Sequence, residues 1–401
     1  MVTTLRDLVA VPSTGGESGE VEIQHLLADR LTDLGLTVDL WPLDLPALRS
    51  TDSYPGEEVS RTEAWGLVAT SRPGEDVGLV LSAHVDVVPP GDRGAWSGDP
   101  FDPVVTAGRL VGRGACDMKG GLAGILGAVA SLGRHVGDVD PFAVHCVIGE
   151  EDGGLGAYAS LVRGHTGRAC VIPEPTNLEL VTANAGSLTF RIEVPGLATH
   201  GSTAYAGVSA IDAYLPLHAA LARLAERRNR LREPLLDHLP VPYPLSVGRL
   251  VAGDWASSVP DRLVAEGRYG LRVEEDPALA VAELEQAVAE AADEHPYLRD
   301  HPPVVTWPGG RFRGGHLPVG HPLARQVAAA HAYETGGEVP GQRGAPWGSD
   351  LRTYAGAGIP TLHYGPGDVR LAHGPDENVP VEQVVTTAAV LARLLRDGVP
   401  A

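Results

Sequence analysis

Five residues of types that ligate divalent metals, His84, Asp117, Glu151, Glu174 and His373, are scattered along a chain of 401 residues. Imidazole nitrogen and carboxylate oxygen together are the ligand chemistry of zinc and related transition metals. The first four each follow a short apolar stretch. Gly78 to Ala83 runs straight into His84-Val85-Asp86, and Phe142 to Ile148 runs into Gly149-Glu150-Glu151-Asp152-Gly153-Gly154. Likewise Ala169 to Ile172 precedes Pro173-Glu174-Pro175-Thr176. Apolar runs of this length, bounded by Gly and Pro, read as strands covered on both faces. In open α/β sheets ligands gather outside the carboxyl ends of such strands, so the polar residues fall where a site would form. The set suggests a two-metal hydrolase.

The elements that must position these residues read as one α/β domain interrupted by a second. At 401 residues the chain is long for one hydrophobic core. An amphipathic helix from about Glu17 to Leu34 opens it, followed by strand-like segments at Leu36 to Leu40 and Gly66 to Thr70. Arg49 to Arg61 reads as a surface loop. Leu122 to Leu132 is small and apolar, as a helix packed tightly on a sheet would be, and strand, helix and strand continue through Cys170. After about Asn184 the pattern changes. Strands at Ser187 to Val194, Leu245 to Val251, Arg262 to Val273 and Val304 to Trp307 alternate with helices at Tyr205 to Arg228 and Ala278 to Glu294. That β-α-β-β-α-β order is the ferredoxin-like arrangement, with one exposed sheet edge suited to a lid or dimer contact. A helix from Leu323 to Tyr333, a strand at Ile359 to Leu362 and a helix from Val381 to Arg396 then return to the first domain. The expected division is a mostly parallel-sheet α/β domain over 1–183 and 313–401, interrupted by a ferredoxin-like α+β domain over 184–312.

Composition excludes several classes. A net charge of -20 with no basic patch argues against nucleic acid as partner. No segment approaches the roughly 18 uninterrupted apolar residues of a membrane span. The start, Met1-Val2-Thr3-Thr4-Leu5-Arg6-Asp7, lacks the basic stretch and apolar block of a secretory signal. Cys116, Cys146 and Cys170 show no paired spacing and read as buried free thiols, which places the protein in a reducing cytoplasm. Of 31 Lys plus Arg, only Lys119 is lysine, and it sits in Gly112 to Gly121 beside Asp117. A composition bias that spared one codon marks a position where Arg does not substitute.

Six ordered segments carry a resemblance. His84-Val85-Asp86-Val87-Val88-Pro89, Trp96 with Pro100-Phe101, Gly112 to Gly121, Gly149 to Gly154, Pro173 to Thr176 and Ala372-His373-Gly374-Pro375-Asp376-Glu377 together resemble the M-twenty metallopeptidase family. That group includes acetylornithine deacetylase, succinyl-diaminopimelate desuccinylase, carboxypeptidase G and aminoacylase. The resemblance covers nearly the whole chain. It implies that Asp117 bridges two metals, that His84 and Glu174 complete one site, and that Glu151 and His373 complete the other. Zinc is the expected metal, and cobalt and manganese accept the same ligands.

The same resemblance implies roles for other residues. Asp86 would accept the second ring N–H of His84 and fix its tautomer. Glu150, adjacent to Glu151 and therefore directed elsewhere, would serve as the general base that later protonates the leaving amine. His200, from the neighbouring subunit of a homodimer, would donate to the developing oxyanion. Substrate recognition is less defined. Members carry Asn before a Val-Pro segment, whereas this chain has Ala256-Ser257-Ser258-Val259-Pro260. Ser257, Arg272 and Ser349 are the expected contacts to substrate, although an ordinary surface salt bridge explains such an Arg equally well. The implied function is hydrolysis of an N-acyl amino acid or short peptide amide. Dipeptidase and carboxypeptidase activity stay open, as does a noncatalytic metal-binding protein on the same fold.

Overall fold

The computed structural model describes residues 1–399 and divides into two compact units. The first comprises Met1–Ala183, Gly315–Gly344 and Ser349 onward, and the second Asn184–Gly314 with Ala345–Gly348. The short segment 345–348 thus belongs with the second unit, although the sequence assigns it to the first. Its backbone explains the difference: Ala345 O accepts from Ala185 N, Pro346 O from Arg268 and Trp347 O from Asn184.

The first unit is an α/β fold on a nine-stranded sheet. Its strands run in the order Thr37–Pro42, Trp65–Thr70, Phe142–Val147, Leu79–His84, Ala169–Ile172, Thr361–His363, Leu180–Asn184 and Gly315–His316, with Gln342–Ala345 pairing beside Leu180–Asn184. The central pairs are parallel and the flanking ones antiparallel. Leu79–His84, Phe142–Val147 and Ala169–Ile172 are buried at every position, as unbroken apolar runs require when helices cover both faces. His84 ends the first of these, and Glu150–Glu151 and Glu174 follow the other two, so the sheet delivers them to one edge.

The helix Gly120–Leu132 shows why small residues follow Asp117. A Cβ on Gly121 would lie 2.0 Å from Pro173 O, so only glycine allows this helix and the Glu174 strand to approach. The stretch Ala115–His135 is long and apolar enough to cross a bilayer, but most of it is buried inside the fold. It is a core helix. Cys116, Cys146 and Cys170 are buried and free.

In the second unit the strands Gly186–Pro195, Leu245–Ala252, Arg262–Leu271 and Val304–Thr306 alternate with the helices Ala210–Asn229 and Pro277–Asp293. The spatial order has Leu245–Ala252 at one edge, then Arg262–Leu271, Gly186–Pro195 and Val304–Thr306, all antiparallel. The helix expected from Tyr205 begins later, at Ala210, because Ser209 Oγ caps it by accepting from Asp212 N. Tyr205 lies instead on a separate 3-10 turn, Gly201–Ala206.

The segment read as a surface loop, Arg49 to Arg61, ends in the interior. The Arg61 guanidinium is fully buried between Glu20 and Asp152, with N···O distances of 2.9 and 2.8 Å. Asp152 also accepts from Glu58 N and Val59 N. The loop is therefore tied to the turn that carries Glu150 and Glu151.

Two core histidines add a pH dependence. Burial pushes His145 down to about 3, with His165 contributing, and burial pushes His363 down to about 3 as well. An unfolded histidine takes a proton near 6.5, so these groups contribute stability that is fully present above that pH and is lost as pH falls toward 3. Each contributes a slope of about 1.4 kcal/mol per pH unit in that window. Urea unfolding of His145→Phe between pH 4 and 6 should show a shallower pH dependence by about one proton than the parent protein. Equal slopes would show that His145 is not buried neutral.

Candidate metal centre

The ligand-type residues converge at the carboxyl end of the first unit's sheet. Asp117 lies between two imidazoles: its Oδ1 is 3.0 Å from His84 Nε2 and its Oδ2 is 3.5 Å from His373 Nε2. Glu174 Oε1 is 4.0 Å from His84 Nε2, and Glu151 is 3.1 Å from His373 Nε2. One carboxylate therefore faces two separate donor pairs. His84 and Glu174 are almost fully buried, whereas His373 is half exposed, so the cluster opens to solvent on the His373 side.

The hydrogen bonds show what this donor set needs. His84 Nδ1 lies 2.9 Å from the backbone carbonyl of Asp86, which only accepts, so Nδ1 carries a proton. In the neutral ring Nε2 is then a lone pair, aimed at the Asp117 carboxylate 3.0 Å away. Two acceptors so placed require a cation or a proton between them. The electrostatics agree. Burial works to lower His84, yet the bond to Asp117 and the charges of Glu174, Asp86 and Asp117 hold it well above the usual imidazole range. The bonds to Asp117 and Glu151 raise His373 to about 11. Burial raises Glu174 and Glu151, and neighbouring carboxylates add to the effect. Protons and metal ions compete for these positions, and the residues present fit two divalent cations.

Asp86 does not meet the expectation placed on it. Its backbone carbonyl, not its carboxylate, takes the His84 N–H; Oδ1 is 3.7 Å from Nδ1. The carboxylate instead accepts from Glu150 N at 3.3 Å and Glu151 N at 3.2 Å. Asp86 thus orients His84 through its main chain and the acidic pair through its side chain. Glu150 is buried, and that burial raises its pKa well above the carboxylate range, with Glu174, Asp350 and Glu151 adding to the shift.

The residue that organises the centre, Glu377, is not among those singled out from sequence. Its carboxylate accepts from the backbone N–H groups of Gly114, Cys116 and Asp117 and from the Arg113 guanidinium at 2.6 Å. Arg113 also donates to His373 O, and its guanidinium lies 5.1 Å from the Trp96 ring centroid. The clue was the position of Glu377 within the Ala372 to Glu377 motif, four residues past His373. The sole lysine has a structural account as well. Lys119 is fully buried and its Nζ donates to Val11 O at 2.8 Å. Burial lowers it to about 7 against the pull of Glu377 and Asp86. A guanidinium there would bring further donors into a closed site.

Ser349 is buried, and its hydroxyl is bonded to His363 Nε2 at 2.8 Å, which commits it to the core. His200, Ser257 and Arg272 belong to the second unit. His200 and Ser258 form a bridge next to Ser257, but Arg272 follows the far end of the ten-residue strand Arg262–Leu271. At about 3.3 Å per residue that strand spans about 33 Å, so one small substrate cannot touch Ser257 and Arg272 of the same copy. Arg272 is paired with Glu275.

Glu377→Gln should place an amide N–H against backbone donors and leave Arg113 without its buried counter-charge. It is expected to cost about 3 kcal/mol of stability and to weaken metal uptake by about 10- to 100-fold. Thermal unfolding and a zinc titration check both. Unchanged metal affinity would remove Glu377 from the centre.

Known proteins resemble this chain in sequence and in fold. The chain is 29% identical to an acetylornithine deacetylase of Edwardsiella ictaluri, over 98% of this chain and 96% of the relative. It is 28% identical to the N-formyl-4-amino-5-aminomethyl-2-methylpyrimidine deformylase of Bacillus subtilis, over 92% of this chain and 87% of the relative. The fold matches the crystal structure of the Bacillus subtilis YXEP protein, described as a dinuclear metal binding peptidase, with a TM-score of 0.64 at 16% identity, covering 99% of this chain and 98% of that one. Residues 80–397, which include all five candidate ligands, match the family model, and the chain belongs to Peptidase family M20/M25/M40.

Proposed function

We propose that this metal-dependent hydrolase cleaves the amide bond of an N-acyl amino acid or short peptide, using two divalent cations, zinc first among them. The observation that carries the reading is the division of Asp117: each oxygen faces a different imidazole, and each imidazole has its own glutamate. Bound there, the two cations would activate water and polarise the scissile carbonyl. The relatives' deacetylase and deformylase activities support hydrolysis at an acyl nitrogen.

The chain's own residues supply the rest. Glu150, held by Asp86 through its backbone, accepts the proton of the attacking water and returns it to the leaving amine. Its raised pKa suits that exchange. His200 donates to the developing oxyanion. Ser202 N donates to His200 Nδ1 at 3.1 Å, so in the neutral ring the proton sits on the exposed Nε2, the tautomer an oxyanion donor requires.

His200 acts from the second subunit of a homodimer in this reading, which the second unit's exposed edge supports. Edge strand Leu245–Ala252 exposes Leu250 and Val251, and helix Ala210–Asn229 beside it exposes Ile211 and Leu215. A groove of about 390 Å³ lies between them. Backbone groups and apolar surface of this kind suit pairing with a second copy. The three buried thiols support a reducing, cytoplasmic setting.

Metal-loaded protein should turn over at least one member of an N-acetyl, N-succinyl, N-formyl and dipeptide panel, and chelation should abolish that turnover. Glu150→Gln should lower kcat by about 10²- to 10⁴-fold while two metal equivalents stay bound. Full activity in that variant would remove Glu150 from the chemistry. Mixing inactive Glu150→Gln and His200→Ala homodimers should restore about a quarter of the wild-type activity, because half the dimers would then carry one intact site. No restoration on mixing, with subunit exchange verified, would place His200 in its own subunit's site or outside catalysis.

A further inference from the structure

The Arg61 guanidinium is fully buried, and no step of the proposed reaction uses it. Its donors are divided between two carboxylates. Nε and Nη2 meet the two oxygens of Glu20, both at 2.9 Å, and Nη1 and Nη2 meet the two oxygens of Asp152 at 2.8 and 2.9 Å. Nη1 also donates to Val59 O at 3.4 Å, so every N–H of the guanidinium is engaged. One cation buried between two anions is a poor source of stability, because desolvation offsets the attraction and apolar groups of similar volume often serve as well. Burial raises Glu20 above the ordinary carboxylate range even with the guanidinium bonded to it. What such a cluster supplies is direction, since a two-pronged pair fixes both the plane and the distance of each carboxylate.

Each carboxylate leads to a different part of the metal centre. Glu20 lies at the start of the helix Ser18–Asp33, and its Oε2 also accepts from Gly16 N at 3.0 Å. The loop before that helix is bonded to the residues that follow His84. Ser13 Oγ donates to Val85 O at 2.6 Å, Val87 N to Ser13 O at 2.9 Å and Gly15 N to Val87 O at 3.3 Å. Asp152 directly follows Glu150 and Glu151 and accepts from Glu58 N and Val59 N. The segment that carries Arg61 lies against the same turn. A Cβ on Gly153 would stand 2.1 Å from Gly56 O, and one on Gly149 would stand 3.2 Å from Arg61 Nη2. The guanidinium therefore joins the segment bearing His84 and Asp86 to the turn bearing Glu150 and Glu151, from the side opposite their bonds to Asp86.

We propose that Arg61 is a positioning residue for the reaction: it holds the Glu150–Glu151 turn in register with the His84–Asp86 segment, so that the Glu150 carboxylate meets the attacking water at bonding distance. The assignment rests on the reading of Glu150 as the base. Arg61 touches no reacting atom, and its effect reaches the chemistry only through the backbone of Gly149 to Asp152. A misplacement of about 1 Å at a reacting group costs about 100-fold in rate, whereas groups that bind the substrate elsewhere are left in place.

Arg61→Lys keeps the charge and removes the fork. On an amide that the metal-loaded wild-type protein cleaves, it should lower kcat about 10- to 100-fold with KM within about twofold. Added to Glu150→Gln, it should change the residual kcat by less than about twofold, because the group it positions is already gone. Asp152→Asn keeps an acceptor for Glu58 N and Val59 N, should show the same kcat loss in milder form, and carries the test if Arg61→Lys does not fold. Arg228→Lys is the control: it breaks a like cluster with Glu275 and Glu283 in the second unit and should lower Tm without lowering kcat. Hydrogen exchange needs no substrate. Amides of residues 149–154 should exchange about tenfold or more faster in Arg61→Lys, while Phe142–Val147 stays protected. An unchanged kcat, an equal proportional loss in the Glu150→Gln background, or unchanged exchange across the turn overturns the positioning role. A wild-type protein that cleaves no amide, with exchange at the turn still quickened by Arg61→Lys, would sink the hydrolase reading and leave the hold on the turn standing.

Discussion

Glu377 brings four donors onto one buried carboxylate: three consecutive-region backbone N–H groups of the Asp117 loop and the guanidinium of Arg113. Asp117 needs such an anchor because it must sit among Glu151 and Glu174, two further acidic side chains that repel it. A carboxylate held by backbone donors cannot drift away when a like charge approaches. Because Glu377 lies four residues beyond His373, and Arg113 also bonds His373 O, the same contact sets the second imidazole against Asp117. Removing this network would separate ligands contributed by parts of the chain more than 250 residues apart in sequence.

The acidic pair is positioned by a second, similar device. Asp86 accepts from the backbone of both Glu150 and Glu151, while Arg61 pulls on Asp152 from the other side of the turn. Adjacent residues with divergent side chains can then do different work, one facing His373 and the other remaining buried nearby. Burial drives both carboxyls upward in pKa, which is the cost of gathering acids in one place. Cations offset that cost, since each position raised in proton affinity is also one at which a divalent ion would be held.

The second unit obeys different rules. Its helices cover one face of an antiparallel sheet, and its edge strand and the loops around His200 stay open to solvent. The tautomer fixed by Ser202 N gives the His200 imidazole a defined donor direction before any substrate arrives.

Much of this was legible in sequence, for a local reason. Continuous apolar runs ending in His84, Glu150–Glu151 and Glu174 encode buried parallel strands and the polar residues at their ends, and both features depend on near neighbours in the chain. The α/β class, the β-α-β-β-α-β insertion and the five ligand types follow from such patterns. Contacts between distant segments do not. Whether Asp86 serves through its carboxylate or its carbonyl depends on how the Glu150 turn approaches, and the burial of Arg61 depends on Asp152, ninety-one positions away. The bond between the Ser349 hydroxyl and His363 joins residues fourteen positions apart, and Ser257 and Arg272, both expected substrate contacts, stand at opposite ends of a ten-residue strand. The sequence by itself determined which residues could carry the chemistry, because periodicity and residue type are local properties. Only the tertiary structure decided which atoms face one another, because hydrogen-bond partners and buried charges are chosen by packing between segments far apart in the chain.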